Sequence, residues 1–197
     1  MAKSLSTREK LKEAAANLFA DQGYEGTSLK EIAHAVGIKT PSIYAFYEGK
    51  EDLLLNVYQD ILEDHYDHLQ KSLEQARNGS AKERLYGLLL TAVNYHLTET
   101  GKTKLFRRLM LFPPPFLYKQ ITENFNKIEQ MESELLREIF EEGIRNQEVQ
   151  PRKVEDMVTS FLCVMDGVFL EMQYYDEREF SRRLEIIWEQ YWLGIEQ

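Results

Sequence analysis

Cysteine, proline, glycine and long apolar runs are all scarce in this chain, and each shortage narrows what it can be. The single cysteine, Cys163, excludes an intramolecular disulfide. Five prolines and ten glycines among 197 residues are typical of an all-helical protein, and no repeat or low-complexity linker interrupts the sequence. The longest apolar stretch, residues 161–170, is interrupted by Asp166 and is far shorter than the ~20 residues that cross a bilayer.

Targeting and catalytic motifs are also missing from the sequence. The first ten residues lack the apolar core of a secretory signal, so we expect a cytoplasmic protein with no membrane partner. Glycine-rich phosphate loops, a GxSxG nucleophile elbow and paired cysteines are absent, so we expect neither an enzyme nor a cofactor. Because free cysteines are most often buried, we expect Cys163 to be a buried structural thiol rather than a redox switch.

Charge is abundant and unevenly distributed. Residues 1–50 hold seven Lys or Arg and six Asp or Glu, a net charge of +1. Because the whole chain has a net charge of −9, residues 51–197 carry −10. A near-neutral N-terminal region can bind a polyanion through a local basic edge, while the acidic remainder avoids nonspecific association. Because the N-terminal region is not strongly basic, we expect any nucleic-acid affinity to depend on two copies binding together.

Apolar residues recur with helical spacing along the whole chain, and nothing alternates as in a β-strand. The sequence therefore predicts an all-α fold. A first helix begins at a capping box formed by Ser6 and Glu9 and ends near Gly23. After two further short helices, longer helices are expected at about 50–77, 81–100, 117–146, 152–174 and 177–195, with a short one ending near 111 before three consecutive prolines.

Residues 27–53 are the most informative part of the sequence. Ser28, with Glu31 three residues later, is a capping box that starts a helix. Four apolar residues then follow the i, i+3, i+4, i+7 pattern: Leu29, Ile32, Ala33 and Val36. Gly37 ends that helix, and a second begins with Thr40 as the expected N-cap and Pro41 at the first helical position. Two helices joined by a glycine turn predict a helix-turn-helix, although glycine turns join helices in many α-proteins.

The second of these helices is expected to present a polar face. Ile43, Phe46 and Tyr47 can face inward, which leaves five residues for solvent or a ligand: Lys39, Thr40, Ser42, Tyr44 and Ala45. Hydroxyl and basic groups at a helix N-terminus suit phosphate oxygens and base edges. Tyr44 on its own is equally compatible with half-buried packing.

The same region resembles the N-terminal DNA-binding domain of tetracycline-repressor (TetR) family regulators over about a quarter of the chain. The matching segments are residues 19–24, Thr27-Ser28, Ile32-Ala33, residues 35–38, Ile43-Tyr44, Phe46-Tyr47 and residues 50–53. The resemblance implies a helix-turn-helix domain at residues 1–49 and an all-helical ligand-binding and dimerisation domain at residues 50–197. The chain departs from the family where Lys39 replaces the usual Ser or Thr and where Ala45 stands at a position frequently occupied by His.

The resemblance also implies DNA contacts for this chain. Thr27, Tyr44 and Lys50 match positions that touch phosphates, whereas Lys39, Pro41 and Ser42 match positions that approach bases. The full set expected to contact DNA is Thr27, Ser28, Lys39, Thr40, Pro41, Ser42, Tyr44, Tyr47 and Lys50.

The last two helices predict a homodimer. The helix expected at about 152–174 is apolar on nearly every side, whereas a surface helix has one apolar face. Burial by a second subunit explains this pattern, and so does an ordinary monomer core. Gly167 favours close helix approach, and the resemblance implies a four-helix dimer interface that sets two reading helices roughly 34–36 Å apart. The candidate interface residues are Met157, Phe161, Val164, Val168, Leu184, Ile187, Trp188 and Tyr191.

The middle helices carry dispersed apolar groups with occasional polar handles, as ligand pockets do. Any single one of these residues is more readily explained as core filler, but the resemblance implies that a small hydrophobic or amphipathic effector binds among them. The candidates are Tyr86, Tyr95, His96, Phe106, Phe112, Phe116, Phe125, Phe161 and Met165. In the two-state mechanism that the resemblance implies, the effector shifts the helix that starts at Lys50 and so changes the spacing of the two DNA readers.

A metal site is the weaker alternative. Asp64, His65, Asp67 and His68 cluster on one helix, and the two histidines have the i, i+3 spacing that can share a metal. Ordinary charge on a solvated helix explains the same residues. Di-iron bundles need two facing Glu-x-x-His segments, and only Glu31-His34 fits that pattern, inside the helix-turn-helix.

These observations predict a homodimeric, ligand-responsive transcriptional regulator, a repressor that binds a palindromic DNA operator. A regulator without an inducer, an activator, and a dimeric helical binding protein whose DNA role is lost remain as alternatives.

Overall fold

A computed structural model describes residues 5–197, so the first four residues of the expected 1–49 domain lie outside the described part. About 81% of the described residues are helical, and the prediction of an all-α fold is confirmed. The only β-type pairing in the described residues is one isolated antiparallel bridge between Val149 and Glu196. The described α-helices are α1 (Thr7–Gly26), α2 (Leu29–Val36), α3 (Lys50–Gln75), α4 (Ala81–Thr98), α5 (Thr100–Leu111), α6 (Tyr118–Arg145), α7 (Val154–Glu171) and α8 (Glu177–Leu193). Two short 3-10 helices span Thr40–Ala45 and Pro115–Leu117.

Local signals in the sequence account for several helix ends. At the start of α1 the Glu9 backbone N–H donates to the Ser6 hydroxyl, and the Ser6 N–H donates to the Glu9 carboxylate, which is the predicted capping box. Helix α1 is kinked at Gly23, whose φ of 77° and ψ of 177° leave the helical region, and a short helical segment continues to Gly26. The expected end near Gly23 is therefore a kink. The three prolines separate α5 from α6 as predicted.

The described chain divides into two compact units. The first unit combines the described residues up to Asp64 with Leu97–Lys127, and the second combines His65–His96 with Ile128–Gln197. Both α3 and α6 contribute residues to each unit. This division by packing differs from the expected boundary at residues 49 and 50, which stays a prediction about function.

The core of the first unit holds the helix-turn-helix in place. Its fully buried side chains come from α1, α2, the 3-10 helix Thr40–Ala45 and α3, and they include Leu11, Phe19, Ile32, Ile43 and Tyr58. The core of the second unit is a continuous apolar cluster contributed by five helices, with Leu85, Leu89, Ile139, Phe140 and Phe161 at its centre.

Helix α7 has two different faces, contrary to the expectation of a helix buried on every side. Its buried residues are Met157, Val158, Phe161, Val168 and Phe169. The opposite face carries Thr159, Ser160, Cys163 and Gly167, which are all exposed. The expectation that Cys163 is a buried thiol is therefore wrong, because the small polar residues around it mark the outward side of the helix.

Candidate functional site

Helix α2 has the start and stop that its sequence predicts. The Glu31 N–H donates to the Ser28 hydroxyl at 3.2 Å, and the Ser28 N–H donates to the Glu31 carboxylate at 2.8 Å. The hydroxyl and backbone hydrogen bonds from Ser28 hold the pKa of Glu31 below its ordinary value. Gly37 ends the helix with φ 77° and ψ 27°, the left-handed conformation that favours glycine. The turn that follows is thereby fixed by local hydrogen bonds.

The helix after this turn, Thr40–Ala45, is a 3-10 helix, and we call it the reading helix. The expectation that Thr40 is its N-cap is wrong, because Lys39 takes that position and Thr40 is the first helical residue. The Ser42 N–H donates to the Lys39 carbonyl at 2.9 Å, which closes the first turn one residue earlier than expected. Pro41 falls at the second helical position, where its missing N–H costs no intrahelical bond.

Ile43 anchors the reading helix in the core, and the other side chains around it face outward. Lys39, Pro41, Ser42 and Ala45 are exposed, Tyr44 is 59% exposed, and Thr40 is half-buried. Phe46 was expected to face inward, but it is 39% exposed. It is the C-cap residue with φ −121° and ψ −32°, so the helical periodicity on which that expectation rested does not extend to it. The outward set forms a surface of hydroxyl, ammonium and aromatic groups.

Three residues expected to touch DNA have structural roles. Thr27 is 1% exposed, and its hydroxyl donates to the Gly23 carbonyl at 2.8 Å. Tyr47 is buried, with its hydroxyl 3.4 Å from the Arg8 carbonyl oxygen. These two side chains cannot reach a phosphate in this arrangement, because protein surrounds them and they already hydrogen-bond to backbone oxygens.

Lys50 is the third of these residues. Its ammonium donates to the carbonyls of Tyr24 at 2.8 Å and Thr27 at 2.9 Å, and lies 4.0 Å from the centroid of the Tyr24 ring. The Lys50 ammonium, which was expected to contact a DNA phosphate, therefore already contacts two carbonyl oxygens and a ring face. Lys50 ties the first turn of α3 to the end of α1.

A second cation on the end of α1 was missed by the sequence analysis. The last turn of α1 contains no basic residue of its own. Arg108 of α5 donates to the Ala20 carbonyl at 3.1 Å, and its guanidinium lies 2.9 Å from where a Cβ on Gly23 would be. Lys104 on the same helix pairs with Asp21. No local pattern in the sequence indicates this contact, since Arg108 lies 85 positions beyond Gly23 in the chain.

The expected effector residues fall into both units. Phe106, Phe112, Phe116 and Phe125 belong to the first unit, where Phe112 is 77% exposed and Phe116 packs edge-on against Tyr24. Phe106 stacks on Tyr58 at 6.3 Å. In the second unit Phe161 is fully buried in the core and Tyr86 stacks on Trp188 at 5.0 Å, so both have ordinary packing roles. Tyr95, His96 and Met165 remain as candidates within that unit.

The first unit also contains a groove of about 520 Å³ between α1, α3 and the start of α5. Lys12, Asn17, Asp60 and Gly101 are among the residues that line it. None of the nine expected effector residues is among its lining residues.

Most of the expected dimerisation residues are internal. Met157, Phe161, Val168, Leu184 and Trp188 belong to the core of the second unit, and Val164, Ile187 and Tyr191 pack against that core half-buried. The five buried side chains cannot face a partner in this arrangement. The same apolar pattern that favoured a partner subunit is satisfied within the chain. The surface available to a partner consists of the small residues on α7 together with Ile186 and Leu193 on α8, which are both exposed.

The histidine-rich segment of α3 is arranged around one ion pair. His65 Nδ1 lies 3.1 Å from Glu132 Oε1, and both side chains are half-buried. Within residues 5–197 no three His, Cys, Asp or Glu side chains converge closely enough to hold a metal ion. In the same part of the chain, no helix combines the length and apolar character needed to span a membrane.

Comparison with known proteins links this geometry to a family. Residues 11–57, which include α2 and the reading helix, match the family model described as "Bacterial regulatory proteins, tetR family". The chain is 23% identical over 180 residues to the probable HTH-type transcriptional regulator YttP of Bacillus subtilis, covering 88% of this chain and 82% of that protein. It is 33% identical over 87 residues to the HTH-type transcriptional repressor KstR2 of Mycolicibacterium smegmatis, covering 44% of this chain and 42% of the repressor.

Among solved structures, the transcriptional regulator FadR of Bacillus subtilis in complex with stearoyl-CoA superposes with a TM-score of 0.75 at 18% identity. The superposition covers 94% of this chain and 98% of FadR. This similarity extends the shared fold beyond the helix-turn-helix to nearly the whole chain.

Proposed function

We propose that this chain, whose residues 11–57 match the tetR family of bacterial regulatory proteins, is a dimeric repressor that binds a palindromic operator and releases it when a small molecule binds. The observation that carries the proposal is the surface of the reading helix. Its outward groups lie on a backbone held by Ile43 and by the caps of α2, as a major-groove reader requires.

Two groups of residues divide the work of DNA binding. Lys39, Thr40, Pro41, Ser42 and Tyr44 form the reading surface, with Ser28 and Phe46 at its edges. Ser42 offers a hydroxyl to a base edge, and Lys39 offers an ammonium to a phosphate or to guanine. Thr27, Tyr47 and Lys50 act behind this surface, because their polar groups bond to backbone carbonyls.

The first experiment is a gel shift with the DNA that flanks the gene encoding this protein. We expect a discrete complex that survives competition by unrelated DNA. Ser42→Ala should change the preferred base at one position of each half-site, by about 1–3 kcal/mol in discrimination. Ala45→Ser, an exposed neighbour on the same helix, serves as the matched control. A protein that binds flanking and unrelated DNA equally well would contradict the operator-binding role.

We propose that dimerisation uses the exposed side of α7 and α8. A Cβ on Gly167 would meet no other atom of residues 5–197 within 4 Å, so a helix from a second copy can approach closely there. Ile186 and Leu193 supply exposed apolar surface on the neighbouring helix. A two-fold pair would carry two reading helices, and sites about one DNA turn apart, roughly 34–36 Å, would match them.

Sedimentation equilibrium tests this arrangement. Wild-type protein should be a dimer at micromolar concentration, and Ile186→Asp should shift it toward monomer because a charge would be placed in the interface. Glu185→Asp, at the adjacent exposed position, should leave the dimer intact. A monomeric wild type would remove the proposed dimer and the two-site operator with it.

We propose that the effector binds in the second unit beside Tyr95, His96 and Met165, and that α3 transmits its presence to the reader. The first part of α3 belongs to the unit of the reading helix, and its continuation carries His65. An effector shifts DNA affinity only if it binds one arrangement of the protein more tightly than the other. An effector that binds the protein and leaves operator affinity unchanged would contradict this coupling.

A further inference from the structure

The second unit contains a group of ionisable and aromatic side chains that range from buried to exposed, which we call the acidic–aromatic cluster. Its members are His65, Tyr95, His96, Glu129, Glu132, Asp166 and Phe169. The hydrogen bond between His65 Nδ1 and the Glu132 carboxylate is its best-defined contact, and the two side chains are only 16% and 14% exposed. Charges withdrawn from water to this extent need compensation from nearby groups.

The negative charge of Asp166 is only partly compensated by neighbouring groups. Desolvation, followed by the negative charges of Glu132 and Glu129, raises the pKa of Asp166 to about 6, while His65 acts in the opposite direction. Two further carboxyl groups therefore act on Asp166, and the opposing influence of His65 offsets them only in part. Asp166 itself is exposed in the single chain.

Aromatic rings lie against the same two side chains. The His65 ring stacks on His96 at 5.2 Å with an interplanar angle of 22°, and Tyr95 packs edge-on against it, also at 5.2 Å. Phe169 lies 4.4 Å from His96. Faces of Tyr and Phe rings attract cations, and the attraction grows when the site is desolvated.

His65 supplies a further polar atom to the cluster. Its Nδ1 faces Glu132, while its Nε2 is buried and has no hydrogen-bond partner among residues 5–197. A neutral imidazole that donates from Nδ1 to the carboxylate leaves Nε2 as an unused acceptor. Buried polar atoms without partners are uncommon and costly, so an N–H group supplied by a ligand would remove the cost.

We propose that the acidic–aromatic cluster binds the positively charged head of the effector, an organic ammonium group, with Asp166 and Glu132 supplying the opposite charge and Tyr95 and Phe169 the ring faces. The proposal rests on the regulatory function proposed above and names the chemical class of its effector. An anionic head would face the repulsion of three carboxyl groups. An inorganic cation fits less well than an organic one, because the described residues bring together too few ligating groups.

Two probes of equal chain length and opposite charge test the proposal on the full-length wild-type protein. Decylammonium and decanoate are titrated by isothermal calorimetry at pH 7.5, below the concentrations at which they form micelles. We expect decylammonium to bind at least about tenfold more tightly, since each tenfold corresponds to about 1.4 kcal/mol. Equal affinity for the two probes, or a preference for decanoate, would overturn the proposal.

Substitutions then locate the site. Asp166→Asn keeps the shape of an accessible side chain and removes one charge, and it should weaken decylammonium binding by about tenfold or more. Glu138→Gln removes one charge from an exposed position on α6 and should leave that affinity within about twofold of wild type. Thermal unfolding of each variant verifies that it is folded. If Asp166→Asn and Glu138→Gln bind the cation equally, the site lies elsewhere and the proposal fails.

The gel shift separates this inference from the regulatory function. A protein that binds operator DNA but shows no preference for the cationic probe keeps its proposed function and loses the effector class. A protein that prefers the cation but binds no operator keeps the cationic site and loses the regulatory role.

Discussion

The reading helix and the acidic–aromatic cluster differ in how far apart their polar partners lie in the sequence and in how exposed their polar groups are. Around the reading helix, capping groups lie three residues apart in the chain, and the remaining polar side chains face solvent. In the cluster, His65 and Glu132 are 67 positions apart, and their ionisable groups are drawn away from water. Exposed polarity on a locally fixed backbone suits a large, hydrated polyanion. Half-buried polarity assembled from several helices suits a small ligand that can displace the remaining water.

The largest effect is expected when the buried residue that anchors the reading helix is removed. Ile43→Ala deletes a fully buried side chain and should lower the free energy of unfolding by about 2–5 kcal/mol, with loss of specific operator binding. Thermal unfolding followed by circular dichroism measures the first effect, and a gel shift the second. Ala45→Ser on the exposed side should change stability by less than about 0.5 kcal/mol. Normal operator affinity in Ile43→Ala would mean that the reader does not depend on this anchor.

Lys50 and Lys39 sharpen the distinction between supporting and reading residues. Lys50→Ala removes charge-assisted bonds to two carbonyls and should cost about 1.5–3 kcal/mol of stability or affinity, with the salt dependence of DNA binding unchanged. Lys39→Ala should reduce the slope of log affinity against log salt by about one unit. Gel shifts across a salt series measure both. The opposite pattern would return Lys50 to the phosphate contacts that its family resemblance implies.

The capping box of α2 tests whether this region is stabilised by interactions between neighbours in the sequence. Ser28→Ala removes the hydroxyl that accepts from Glu31 and should cost about 1 kcal/mol of stability. Ser28→Thr, which retains the hydroxyl that accepts from the Glu31 N–H and donates to the Glu31 carboxylate, should recover most of that loss. Hydrogen exchange of the α2 amides reports whether the damage stays in that helix. A loss spread evenly over both units would show that the cap is not a local device.

The smallest expected effect concerns the pH dependence of the cluster. The pKa of Asp166 in the folded protein, about 6, lies above its ordinary value of 3.8, so the folded state holds the proton more tightly. Its charge therefore opposes folding above pH 6, and the opposition vanishes below about pH 4, where both states are protonated. Asp166→Asn should raise the stability at pH 7.5 and lose that advantage as the pH falls from 6 to 4.

The magnitude of this gain is limited by solvent. Asp166 is accessible, so screening should hold the gain on the order of 1 kcal/mol or less, roughly 2–4 °C in Tm. Melting curves of wild type and variant across this pH range measure it. A gain that is largest at pH 4 would contradict the sign of the shift and the negative charge of the surroundings.

Sequence reasoning succeeded where structure is decided within a few residues. The capping boxes at Ser6 and Ser28, the left-handed Gly37 and the proline break before α6 all depend on neighbours along the chain. It failed at Phe46, where helical periodicity was extended past the end of a 3-10 helix.

Long-range partners were beyond its reach. The contacts of Lys50 with Tyr24 and Thr27, and of Arg108 with Ala20, join helices whose approach no local pattern encodes. The apolar residues of α7 predicted burial but not the helix that covers them, since a neighbouring helix of the same chain and one from a second copy leave the same pattern.

The cations that hold the end of α1 have a consequence for dissecting the molecule. Lys50 of α3 supplies one of these cations. Arg108 of α5 supplies the other and lies more than 80 residues beyond α1 in the sequence. Truncation after residue 49 would therefore keep the capping groups of α2 but remove the Lys50 ammonium and the Arg108 guanidinium from the end of α1. We therefore expect a fragment that ends at residue 49 to be less stable than the same residues in the full-length chain.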